Sequence, residues 1–189
     1  MAAAVILSPE PQAWGSLLGR VDDSKRLSPH RRESLIGDIA AGSLSIGVGF
    51  SGVGEIDHLG IVEATRTAMM RAVAGLSPSP DFLLLDFLTL PRLPQPQRGL
   101  PHGDAISLSI AAASIVAKVT RDRWMIEREA EFAGYGFAQH KGYGTAAHRD
   151  AVERFGPCGL HRRSFHPIQV IESAWCSRRI SPIHDDPAE

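Results

Sequence analysis

The spacing of apolar positions changes along this chain, and each change marks an element. Residues 2–7 (Ala-Ala-Ala-Val-Ile-Leu) form a short unbroken apolar run, which predicts a buried strand. Ser28-Pro29 opens a helix by its cap chemistry, with Ser at the cap, Pro at the first position and Glu33 in the first turns. Leu44, Ile46, Val48 and Phe50 then alternate with Ser45, Gly47 and Gly49, and this period of two predicts a strand with one buried face. Its glycines fit either a close neighbour or a tight bend, and the bend is the simpler expectation. Over residues 55–76, Ile56, Leu59, Val62, Met69, Val73 and Leu76 recur near helical spacing and predict an amphipathic helix, with Met69 and Met70 as core filler. Ser77-Pro78-Ser79-Pro80 ends it. Phe82-Leu83-Leu84-Leu85 is apolar throughout, so a central strand is expected, ending on Asp86. Residues 90–101 hold four prolines and two glutamines and read as an extended loop. A long helix follows over about residues 106–132, its first part rich in Ala and Ser and so able to pack closely on a sheet.

Strands alternating with helices predict an α/β layered fold. A length of 189 residues suits one domain, over residues 1–174, with the polar residues 175–189 as a frayed, flexible tail. The formal net charge of −1 offers no bulk attraction to nucleic acid, so any basic face must be local. Cys158 and Cys176 form neither a metal spacing nor a disulfide framework and suit a reducing compartment. No basic leader precedes the first apolar run, and no run is long enough to span a bilayer. A cytoplasmic monomer without membrane contact is expected.

Chemistry concentrates in a few places. Residues 139–145 read Gln-His-Lys-Gly-Tyr-Gly-Thr, without one aliphatic side chain. Gly142 and Gly144 let the backbone beside Tyr143 approach another molecule, and the ring could stack on a sugar or base while His140 and Lys141 hold phosphate. An exposed loop with a surface tyrosine is the plainer alternative. Asp86 ends an apolar strand, where a carboxylate costs desolvation unless it meets a cation; it reads as a metal ligand or a turn residue. Asp104 precedes the long helix and suits a cap, a role compatible with metal ligation. Lys25, Lys118, Arg121, Lys141, Arg162 and Arg163 are candidate phosphate contacts, although each taken singly suits a solvated surface charge, and Arg121 could pair with Asp122 or Glu127. His140, His148 and His161 form no zinc spacing and read as loop histidines near phosphate.

Four runs carry a resemblance: Asp22-Asp23-Ser24-Lys25-Arg26-Leu27-Ser28; Ser107-Leu-Ser-Ile-Ala-Ala-Ala-Ser-Ile-Val-Ala-Lys-Val-Thr-Arg-Asp122; Tyr135-Gly-Phe-Ala-Gln-His-Lys-Gly-Tyr-Gly-Thr145; and His161-Arg-Arg-Ser-Phe165. In this order and spacing, over about residues 1–170, the chain resembles ribonuclease HII. The resemblance implies a ribonuclease H-like fold, a mixed sheet of about five strands flanked by helices. The family opens with a strand carrying Asp-Glu-x-Gly-Arg-Gly, which has no counterpart here, so the first strand reads as truncated. The implied activity is endonucleolytic cleavage of RNA in RNA–DNA hybrids and of ribonucleotides embedded in duplex DNA. Two ions, Mg²⁺ or Mn²⁺, would assist hydrolysis, leaving a 3′-hydroxyl and a 5′-phosphate. The third and fourth family carboxylates fall on Asp86 and Asp104, while the first and second find no match. Asp22 and Asp23 are not substitutes, because Asp23 belongs to the Asp-Ser-Lys match. Tyr143 carries the role of sensor of the ribonucleotide-to-deoxyribonucleotide junction, with Lys25, Lys141, Arg162 and Arg163 on phosphate. Two alternatives accompany this reading: a catalytically impaired nucleic-acid-binding relative, and a polypeptide whose acidic pair is encoded upstream of the Met1 codon. The presence of Asp86, Asp104 and Tyr143 favours the latter.

Overall fold

The computed structural model of the chain describes residues 1–180 except 18, 22, 23 and 25, with side chains up to residue 177. Lys25 therefore lies outside the described residues. Strand β1 (Ala2–Leu7) pairs antiparallel with β2 (Ser43–Gly49), from Ala2 opposite Gly49 to Val5 opposite Ile46, with an irregularity at Ile6/Leu7. After the short helix α1 (Pro11–Trp14), α2 (Pro29–Ala41) starts as its sequence dictates. The Ser28 hydroxyl accepts from the Arg31 amide at 3.2 Å, and Pro29 takes the first position, where its missing N–H costs nothing. Leu35 and Ile39 of α2 meet Leu17 and a later helical stripe of Ile115, Val116 and Val119, with β1 packed against the same cluster.

Gly47 and Gly49 answer the question that the alternating strand left open. A Cβ on Gly47 would lie 2.0 Å from the Ala72 carbonyl oxygen, and one on Gly49 would lie 1.9 Å from that of Ala68. The glycines permit close approach of helix α3 (Val53–Ala74), and the expected bend is corrected. The buried stripe of α3 is Ala64, Ala68, Ala72 and Val73; of the larger residues that the spacing picked out, Val73 and, just past the helix, Leu76 are buried, and Met69 and Met70 pack against the core as expected. Gly60, at φ 76°, breaks the helix, and Leu59 and Val62 on either side of it remain exposed.

Strand β3 (Leu83–Asp86) pairs in parallel with β4 (Gln97–Leu100), which lies inside the segment expected to be a loop. Helix α4 (Gly103–Ile106) and α5 (Leu108–Glu127) divide the expected long helix at Ser107, whose hydroxyl caps α5. The chain closes with α6 (Phe137–His140), α7 (Ala146–Phe155) and α8 (His166–Ile180). Residue 175, where a tail was expected to begin, is helical, and the Trp175 ring lies against Gly156.

The expected sheet of about five strands is corrected. Among the described residues there are two separate pairs, β1–β2 and β3–β4. An apolar cavity of about 720 Å³ lies between them, lined by β1 and β3 along their whole lengths. Each of these strands is hydrogen-bonded on one side only, so β3 is not the central strand its run of leucines suggested, and Leu84 stays 44% exposed. No helix among the described residues is long and apolar enough to cross a membrane.

Candidate active site

Asp86 stands at the end of β3, and the chain turns sharply after it. Phe87 adopts a left-handed conformation (φ 63°), and the Leu88 amide donates to the Asp86 carbonyl at 2.7 Å. The Asp86 Oδ1 atom accepts from the Gly103 amide at 3.1 Å. Gly103 is buried; a Cβ there would come 2.7 Å from Ile110 Cδ1 and 3.5 Å from Asp86 Cα. Glycine thus lets α4 begin directly against the strand end, and the next residue, in the first turn of α4, is Asp104. Two aspartates 18 positions apart in sequence are brought to one place by backbone contact. Asp86 is exposed and Asp104 half-buried, so the desolvation argument made from the apolar run does not apply to Asp86. What the structure gives it is a place at a strand end, hydrogen-bonded to the residue that precedes Asp104.

Carboxylate oxygens suit Mg²⁺ or Mn²⁺, and Mg²⁺ ordinarily takes one or two carboxylates, completing its shell with water and substrate phosphate. Asp86 and Asp104 fit one such ion in type and number. Among the described residues no group of three or more His, Cys, Asp or Glu is placed to hold a metal, so a second ion would need donors from elsewhere.

Tyr143 lies in residues 141–145, between α6 and α7, and its ring is 60% exposed. Its amide donates to the His140 carbonyl at 2.9 Å, and its own carbonyl accepts from Thr145 at 2.7 Å. Lys118 Nζ sits 4.9 Å from the ring centroid and 2.6 Å from Asp122 Oδ1. A pocket of about 450 Å³ opens here, lined among others by Arg32, Lys118, Lys141 and Tyr143. Lys141 turns its ammonium back onto the Ala138 carbonyl rather than reaching outward.

Arg32 was not legible as a site residue. Its buried guanidinium donates to the carbonyls of Ser24 (2.7 Å) and Leu27 (2.5 Å) and lies 3.6 Å from Asp122 Oδ2. The Ser24 and Ser114 hydroxyls meet at 2.8 Å. Ser24 is thereby tied to both Arg32 and Ser114. An arginine in the first turns of a helix gives no such signal in sequence.

Arg162 and Arg163 follow His161 on one turn. The half-buried Arg162 guanidinium stacks over Phe165 at 3.7 Å, and burial, then the neighbouring Arg121 charge, lowers its pKa. Arg163 directs its guanidinium to Glu172 at 3.4 Å. The turn is held by Asp57 of α3, which accepts from the Arg163 amide (3.0 Å), the Ser164 amide (2.9 Å) and the Ser164 hydroxyl (2.6 Å). These bonds, the Ser164 hydroxyl foremost, hold the Asp57 pKa below the ordinary carboxylate value. Asp57 was missed too, because its partners lie more than a hundred residues downstream.

The three histidines read as phosphate-side loop residues are corrected. His140, His148 and His161 are 9%, 7% and 7% exposed and bond to one another under the Tyr143 loop.

Comparison with known proteins identifies the family. A family model described as Ribonuclease HII matches residues 1–168. A ribonuclease HII of Geobacillus kaustophilus is 49% identical over 174 residues, covering 92% of this chain and 65% of that protein. One from Geobacillus thermodenitrificans is 52% identical, covering 89% of this chain and 63% of that protein. The chain thus spans somewhat under two thirds of the length of these relatives. A third, from Dehalococcoides mccartyi strain 195, is 48% identical over 90% of this chain and 80% of its own length. Among solved structures, the ribonuclease H2 from Pyrococcus horikoshii OT3 superposes with a TM-score of 0.72 at 22% identity, covering 92% of this chain and 89% of that one. A Bst-RNase HIII in complex with Mn²⁺ gives 0.65 at 15% identity, covering 89% and 63%. These two likenesses establish the ribonuclease H-like fold.

Proposed function

From the chain's membership of the ribonuclease HII family we propose that it is an endoribonuclease, acting on RNA in RNA–DNA hybrids and on ribonucleotides embedded in duplex DNA. The observation that carries the reading is the junction of β3 with α4. Asp86 accepts from the Gly103 amide, and the residue after Gly103 is Asp104. Both are the hard-oxygen donors that a Mg²⁺- or Mn²⁺-dependent phosphodiesterase needs. A bound divalent ion supplies an acidified water and offsets charge on the phosphate.

The other residues position. Asp86 takes one amide bond, which fixes its carboxylate while leaving the second oxygen for a ligand. Tyr143 offers an exposed ring at one rim of a pocket whose other walls carry Lys118, Lys141 and Arg32. That combination suits a sugar or base stacked on the ring with phosphate beside it, the junction-sensing role. Lys118 already lies over the ring and keeps Asp122 as its partner, so a phosphate would have to compete for it. Arg162 and Arg163 add positive charge on a turn anchored by Asp57.

The test is cleavage of a duplex bearing one ribonucleotide, with Mg²⁺ and with Mn²⁺, by the 189-residue chain and by its Asp86→Asn variant. With only two carboxylates at the site, turnover below about 1 s⁻¹ is expected. Asn keeps the shape and loses the charge, so Asp86→Asn should remove more than about nine tenths of the remaining rate, a barrier rise above ~1.4 kcal/mol. A variant that kept its rate would remove Asp86 from the site.

A further inference from the structure

Three buried imidazoles form an unbroken chain beneath the Tyr143 loop, and their partners fix every proton in it. At one end His140 Nε2 lies 2.7 Å from the Tyr135 carbonyl oxygen, which can only accept, so Nε2 carries the hydrogen. Neutral His140 then has its lone pair on Nδ1, which accepts from the Gly142 amide at 3.1 Å. His148 Nδ1 is 3.1 Å from that same atom and must be the donor. His148 Nε2 is left as an acceptor, and it meets His161 Nε2 at 3.1 Å, which must therefore donate. That leaves His161 Nδ1 to accept from the Cys158 amide at 2.9 Å, with the Cys158 sulfur 3.2 Å away. The assignment gives each ring one N–H, with the single lone pair of His140 Nδ1 shared between the Gly142 amide and His148 Nδ1–H. An added proton at His140 Nδ1, His148 Nε2 or His161 Nδ1 would set two N–H groups face to face.

The chain has a direction in the fold as well. His140 is the last residue of α6, and residues 141–145 follow it directly. His148 lies in the first turn of α7, where its amide donates to the Thr145 hydroxyl at 3.2 Å. The bond between the two rings thus staples the two ends of the loop that carries Tyr143. The loop is gripped again from below, because His140 also takes the Gly142 amide on its ring and the Tyr143 amide on its carbonyl. Lys141 and Gly142 both have positive φ (52° and 79°), a backbone shape that such anchors must hold in place.

We propose that the His140–His148–His161 chain is the positioning device of the Tyr143 loop, setting the ring where it can stack on the nucleic acid. This rests on the reading of Tyr143 as a nucleic-acid contact. Burial, and secondarily the neighbouring rings, pull the His148 pKa down to about 4, in keeping with a central ring that stays neutral.

The experiment has two arms. In the first, hydrogen exchange of the Gly142 amide and ¹⁵N spectra of the imidazoles are recorded on the free 189-residue chain. The spectra should show His140 and His161 as Nε2–H tautomers and His148 as Nδ1–H at pH 7.5. His148→Leu should speed Gly142 exchange about tenfold or more as the loop opens locally. His148→Gln, whose carboxamide has both a donor and an acceptor, should restore most of the protection. In the second arm, affinity for a single-ribonucleotide duplex is measured in metal-free buffer. Tyr143→Ala should weaken it about tenfold in the wild-type background, and less than about twofold in the His148→Leu background, where the ring is no longer placed. Unchanged Gly142 exchange in His148→Leu, or a Tyr143→Ala effect equal in both backgrounds, overturns the positioning role. A Tyr143→Ala effect absent from the wild-type background while exchange behaves as expected overturns the nucleic-acid reading instead. Should His148→Leu fail to fold, His148→Gln and the wild-type tautomers decide the first arm.

Discussion

The two ends of the candidate site are finished to different degrees. Under the Tyr143 loop every ring nitrogen of three histidines has a partner from within the chain, and the loop backbone is tied to them. At the end of β3 the backbone is equally well fixed, by Gly103 against Asp86, but the carboxylates have little else to hold them. Beside them β1 and β3 border an apolar cavity and, among the described residues, each pairs with one strand. The difference teaches where internal contacts end and ligands take over. An aromatic reading surface must be rigid before it meets nucleic acid, because ordering it on binding would cost affinity. A metal site needs oxygens whose remaining partners arrive with the ion and the substrate.

Acid should separate the two ends most strongly. The folded pKa of His148 is lowered to about 4 and that of His161 is also lowered, in both cases chiefly by burial. For groups depressed in this way the stabilisation is complete above the unfolded value of about 6.5 and is lost as pH falls toward the folded value. A loss on the order of 2–3 kcal/mol is expected between pH 6.5 and 4. Around the rings, Tyr135 donates its hydroxyl to Gly156, Cys158 contacts His161, Glu129 accepts from the Ala138 amide and Arg121 reaches toward the Lys141 carbonyl. Melting curves across this pH range check it, and they should flatten in His148→Leu. Equal slopes in both proteins would assign the acid sensitivity elsewhere.

Tyr143→Ala should cost about 1–3 kcal/mol in recognition of nucleic acid. It should fall harder on a single embedded ribonucleotide than on a continuous hybrid, where other contacts remain. Comparing duplex affinities for the two substrates measures this, and parallel losses would count against a junction role.

Gly103→Ala probes the other end. The added methyl meets the flexible tip of Ile110 first, so α4 should shift slightly while the fold survives at a cost of about 1–3 kcal/mol. Asp104 moves with α4, and cleavage should drop about tenfold. An unchanged rate would show that the spacing of Asp86 and Asp104 is not critical.

The smallest effect expected is on the stability of the Tyr143→Ala chain, within about ±0.5 kcal/mol. The ring is exposed, and Lys118 keeps Asp122 as a partner when the ring is gone. A large fall in melting temperature would make Tyr143 a structural residue.

What was legible in the sequence was local. The Ser28-Pro29 cap and the presence of β1, β2 and β3 each express a short-range rule, but the face of β2 expected to be buried is the outer one: Leu44 and Val48 are exposed, while Gly47 and Gly49 are buried against α3. Asp86 and Asp104 stand at the strand end and the helix start that the local pattern gave them. What stayed hidden depends on partners far along the chain. Gly47 and Gly49 are explained only by the backbone of α3, and β4 is a strand only because β3 lies beside it. The histidines stand 8 and 13 residues apart, spacings that match no motif, and their burial comes from folding α6, α7 and the 158–161 turn together. Arg32 and Asp57 likewise carry no local signal, because the carbonyls and amides that they hold come from other segments.

The carboxylate end is the part on which the enzymatic reading stands, and titration of the 189-residue chain with Mn²⁺, followed by electron paramagnetic resonance of the free ion, tests it directly. The donor set of Asp86 and Asp104 predicts one ion per chain in the absence of nucleic acid, with binding weakened at least about tenfold in Asp86→Asn and in Asp104→Asn alike. Binding that survives both substitutions, or that is lost in neither variant while cleavage persists, would contradict the assignment of these two aspartates as the metal ligands.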